Sequence, residues 1–171
     1  MAETRTALET VLTSMYKYGM IAWMHAHPEA YEEAITLAIA ETQPYSWRAA
    51  WLLCDCLEKN DARVRPHIRK IIRAIPSKSD GHQRELLKIL LMMELREREE
   101  SEAFDVCITL WEKITAQPSV RVNALKLLVN IARRHPDLAR EIRLLAHDRY
   151  MDTFSAPVRK SVTRILKRDS L

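Results

Sequence analysis

Apolar positions along the chain recur every three or four residues with polar and charged positions between them, the pattern of helices that each bury one face. Prolines punctuate this pattern rather than interrupt it. The stretches "HPEAYEEAITLAIAE" (27–41), "RPHIRKIIRAI" (65–75), "HPDLAREIRLLAHDRY" (135–150) and "APVRKSVTRILKR" (156–168) all carry a proline at or near their start, where its missing N–H costs nothing. The chain is predicted to be all-α, a series of helices joined by short turns. At the N-terminus, helices are expected near 3–17 and 29–41, with a break at "KYGMIAWMHAHP" (17–28).

The helices repeat. "HQRELLKILL" (82–91) lies over "SVRVNALKLL" (119–128) at an offset of 37, pairing Arg84 with Arg121, Leu87 with Ala124 and Leu90 with Leu127. A further offset of 38 brings "PVRKSVTRIL" (157–166) into the same frame, and "PYSWRAAWLL" (44–53) joins it at 74. Ala50, Leu87, Ala124 and Val162 thus share one frame position. Two helices per period of this length mark a helical solenoid. A helix pair cannot bury both of its apolar stripes alone, whereas stacked neighbours form a continuous seam. Leu127 is accordingly expected in the core.

The "VR..A..LL" pattern at 120–128, its relatives and the repeat length resemble HEAT repeats of the armadillo-like class, over about residues 44–166. The whole chain is similar to small bacterial HEAT-like proteins. This resemblance implies an α–α superhelix forming a single domain over residues 1–171. Within it stand an atypical first pair (1–43), units at about 44–80, 81–117 and 118–155, and a terminal helix (156–171). It also implies that second helices line a concave surface. The chain departs from the pattern at Trp47, which holds the frame position of Arg121, and at "LREREESEAF" (95–104), read as a highly charged turn.

Composition narrows the function classes. With 47% hydrophobic residues the chain can bury a core, and with only two glycines, Gly19 and Gly81, it lacks Gly-rich phosphate loops. No apolar run is long enough to span a bilayer and "MAETRTALETVL" is no signal peptide, so a cytoplasmic location without membrane partners is predicted. Cys54, Cys56 and Cys107 form no CxxC pair and read as buried structural thiols. The histidines lack ligand spacing, and no nucleophile–base order or HExxH is present. No metal, cofactor or catalytic residue is predicted, and the chain is read as a non-enzyme.

Charge is uneven. Residues 1–44 carry two bases and six acids, whereas residues 119–171 carry twelve bases and five acids. The basic end can steer an acidic partner. Arg65, Arg69 and Arg73 recur every four residues opposite Ile68, Ile71, Ile72 and Ile75, and Arg140, Arg143 and His147 extend the same character on a later second helix. These five arginines are the candidate contacts of an interaction module for an acidic protein or peptide. Asp105, Thr109, Glu112 and Lys113 interrupt the positive track.

A nucleic-acid-binding protein is the alternative. Trp47, Trp51 and Asp55 on one helix supply aromatics and a carboxylate of the kind found in the HEAT-like alkylated-base DNA glycosylases, which the chain resembles in this respect. Packing is nevertheless the first expectation for the Trp pair, with Trp47 the more exposed. Self-assembly is a third class, because Val158, Val162 and Ile165 on the last helix need cover.

Overall fold

A computed structural model describes residues 5–168. Eleven α-helices and no strand occur among the described residues: α1 (Ala7–Ser14), α2 (Lys17–Ala26), α3 (Tyr31–Ile39), α4 (Tyr45–Cys56), α5 (Ile68–Ala74), α6 (Asp80–Leu91), α7 (Glu97–Glu112), α8 (Pro118–Ala132), α9 (Ala139–Leu144), α10 (Asp148–Met151) and α11 (Ala156–Arg168). Short 3-10 turns holding Pro28, Pro66 and Pro136 lead into α3, α5 and α9. Proline's fixed φ suits a helical start and removes an N–H that would have no intrahelical acceptor.

Two compact units divide the chain after Glu94, within the segment 81–117. In the first, α4 packs against α1, α2, α3 and α6, and α5 lies against α3 and α6. In the second, α8 packs against α7, α9 and α11. The frame read from the sequence marks the core: Ala50, Leu87, Ala124 and Val162 are all 0% exposed. Small side chains at two of these positions let neighbouring helices approach closely. Leu127 is buried as expected. On α11 Val162 is covered within the unit, while Val158 and Ile165 remain half-buried.

Two local expectations are corrected. The stretch 17–28 is no break, because α2 occupies most of it. The chain breaks one turn earlier, at Met15, whose extended backbone ends α1. Gly19 is tolerated on the exposed side of α2, while Met20 and Met24, four apart, are buried on the other. The segment 95–104 is likewise no turn, since α7 begins at Glu97. Acids in a first turn face the unsatisfied N–H groups of the helix start, and Glu99 accepts a hydrogen bond from the Arg96 N–H at 2.8 Å. Charge density there signalled a helix N-terminus.

Candidate partner-binding surface

The first unit carries the arginine series. Arg65 lies in the 3-10 turn before α5 and donates from Nη1 to the Glu94 carbonyl at 2.6 Å, so it anchors a loop of its own unit. Arg69 and Arg73 sit four residues apart on one side of α5, opposite the buried Ile68, Ile71 and Ile72. Arg69 is half-buried and Arg73 exposed. In the second unit Arg140 and Arg143 are exposed on α9, beside the buried Ile142. His147 caps α10, accepting from the Arg149 N–H at 3.2 Å. The structure therefore groups the five arginines as three and two, on separate units.

A motif that the sequence reading missed appears in both units. His67 Nε2 meets a Glu32 carboxylate oxygen at 3.0 Å, and His135 Nε2 meets Glu100 Oε2 at 2.8 Å. Each joins the entry of one second helix to the first turn of the preceding second helix, and each spans 35 residues. The recurring spacing was the available signal. Glu100 is also ion-paired with Arg134, whose Nη2 donates to the Leu95 carbonyl at 2.9 Å. Beside this clasp, between α7 and the chain leaving α8, a cavity of about 260 Å³ opens. Phe104, Ile131 and Leu138 form apolar wall, and Glu97, Asp105 and Asp137 stand among its lining.

The tryptophan pair is neither core nor free. Trp47 and Trp51 are stacked with centroids 6.2 Å apart, and both are half-buried, so the pair packs on itself without being enclosed in the core. Lys17 Nζ lies 5.5 Å from the Trp51 ring centre and 3.0 Å from Asp55 Oδ1. The ring and carboxylate that a base-excision site would use are thus engaged by a lysine of the same unit. The fully buried tryptophan is Trp111 on α7.

Cys54 is half-buried, and Cys56 and Cys107 are buried; all three are free thiols. Burial pushes the Cys56 thiol up to about 11 and raises Cys54 and Cys107 further, so none is poised as a thiolate nucleophile. Among the described residues no group of three or more His, Cys, Asp or Glu is placed to hold a metal ion. No helix among them is long and apolar enough to cross a membrane.

The HEAT repeat domain, compared as a family, matches residues 4–169, nearly the whole chain. The chain belongs to this family. No curated protein and no solved structure gives a significant match to it. As a HEAT-repeat chain it is a helical-repeat scaffold, and scaffold and activity are separate matters. The second helices α3, α5, α7 and α9 carry Glu32, Arg69, Arg73, Glu100, Arg140 and Arg143, whereas α4, α6 and α8 contribute much of the buried frame.

Proposed function

We propose that this HEAT-repeat chain is a non-enzymatic interaction module for an acidic protein partner, with Arg65, Arg69 and Arg73 as contacts on the unit ending at Glu94 and Arg140 and Arg143 as contacts on the unit Leu95–Leu171. The observation that carries the reading is α5, whose buried isoleucine face fixes Arg69 and Arg73 on the opposite side of one rigid element. A preformed face lowers the ordering cost of binding on the module's side. Guanidinium groups suit carboxylates because their planar donors meet both oxygens. The Lys17 engagement of Trp51 and Asp55 weighs against a base-binding site on α4 and so favours a protein partner.

Fluorescence anisotropy with a labelled ten-residue glutamate-rich peptide and with labelled duplex and single-stranded DNA and RNA tests this. At about 150 mM salt the peptide is expected to bind at roughly 10–100 μM, and the double variant Arg69→Glu, Arg73→Glu to bind about tenfold more weakly. Tighter binding of nucleic acid at the same salt, lost in that variant, would replace the reading with the nucleic-acid one.

A further inference from the structure

We propose that the cavity between α7, the end of α8 and the turn entering α9 receives a lysine or arginine side chain of a partner protein, an inference that rests on the interaction-module reading. Three observations converge on it. The first is shape. At about 260 Å³ the cavity is smaller than the pockets of roughly 300 Å³ and more that take drug-sized ligands, and it has the scale of one long side chain.

The second is the wall. Phe104, Ile131 and Leu138 line the cavity with apolar surface suited to a methylene stem. Long cationic side chains bury that stem and keep the charged head at the polar edge.

The third is charge. Glu100 is met by Arg134 and His135, so its carboxylate is already compensated. The side-chain carboxylates of Glu97, Asp105 and Asp137 have no hydrogen-bond or ion-pair partner among the described residues, although the Asp105 carbonyl accepts from the Thr109 hydroxyl at 3.0 Å. Glu97 lies in the first turn of α7 and Asp137 in the turn before α9, where acids gain from a helix start. Asp105 has no such local reason. It stands in the third turn of α7, where Asp is a poor helix former, exposed and beside the cavity. A cation seated on the apolar wall would meet these carboxylates, whereas a phosphate or carboxylate ligand would be repelled.

The test is a heteronuclear NMR titration of the full chain with N-acetyl-arginine amide, against N-acetyl-citrulline amide as the neutral isostere. The arginine probe is expected to shift the amides of Ser101, Phe104, Asp105 and Leu138 with a Kd of roughly 1–10 mM, the range for a single side chain. Citrulline should bind at least about tenfold more weakly. The double variant Asp105→Asn, Asp137→Asn alters two exposed positions and should keep the spectrum of the folded chain while weakening the arginine probe about three- to tenfold. Equal binding of citrulline, shifts centred elsewhere, or arginine binding indifferent to the double variant would each overturn the proposal. If the glutamate-rich peptide binds through α5 while the arginine probe misses the cavity, this inference alone fails. If neither binds, the module reading fails with it.

Discussion

Asp61 is gripped by Arg63, whose Nε and Nη2 donate to its two oxygens at 2.8 and 2.6 Å, while the same guanidinium lies 3.6 Å from the Tyr31 ring centre. These hydrogen bonds, with further ones from the Arg63 and Glu58 N–H groups, hold the Asp61 carboxyl down at about 2, below its usual 3.8. A depressed carboxyl contributes stability that is complete above the unfolded value near 4 and is lost as pH falls toward 2. Allowing for screening at the partly exposed Arg63, the contribution is about 1–2 kcal/mol. Asp61→Asn should therefore lower stability at pH 7 and flatten the decline between about pH 4 and pH 2, read from urea midpoints across that range. An unchanged acid limb would contradict the assignment. The "DAR" at 61–63 was not legible as a cluster, because the Tyr31 ring that completes it lies thirty residues away in the chain.

At the scale of elements, Arg121 shows how a frame position acquires a role. It opens α8 and is 1% exposed. Its Nε donates to the Trp111 carbonyl at 2.8 Å, Nη1 to Thr153 Oγ1 at 2.6 Å and Nη2 to the Tyr150 carbonyl at 3.4 Å. The guanidinium also lies 4.1 Å from the Phe154 ring centre and 5.0 Å from that of Trp111. One side chain thus ties α8 to the end of α7 and to the segment around α10. Arg121→Ala removes that packing and takes the Arg121 donor from the Trp111 carbonyl, while the Tyr150 carbonyl still accepts from the Thr153 hydroxyl, so a loss of about 3–5 kcal/mol, mostly packing, is expected in denaturant unfolding. A loss below about 1 kcal/mol would mean that the neighbours repack and the Trp111 carbonyl finds water instead. Arg121→Lys should fall between, since a point-charge ammonium cannot serve three directions at once. The repeat made Arg121 visible, but a charged residue in an amphipathic pattern reads as exposed, so its burial was not.

At the scale of the whole molecule, stability is expected to be partly local to each compact unit. Repeat folds sum the stabilities of their parts and of neighbouring contacts. Leu127→Ala should cost about 2–5 kcal/mol, because the residue is buried and its neighbours can close the cavity only in part. In hydrogen exchange the loss should appear mainly as faster exchange in the unit Leu95–Leu171, with smaller change in the unit ending at Glu94. A uniform change across both units would show them unfolding together.

The sequence alone determined the all-α class, the repeat and its frame, and the burial of Ala50, Leu87, Ala124 and Leu127. Those features are set by periodicity, which acts over one or two helical turns and over a regular offset. It also placed Arg69, Arg73, Arg140 and Arg143 on second helices, whereas Arg65 lies in the turn before α5. Only the tertiary structure decided which charges meet. The His67–Glu32 and His135–Glu100 clasps, the engagement of Trp51 and Asp55 by Lys17, and the buried donors of Arg121 all join residues from different helices. The cavity beside α7 belongs with them: its apolar wall and its carboxylates come from segments about thirty residues apart, and packing alone brings them to one place.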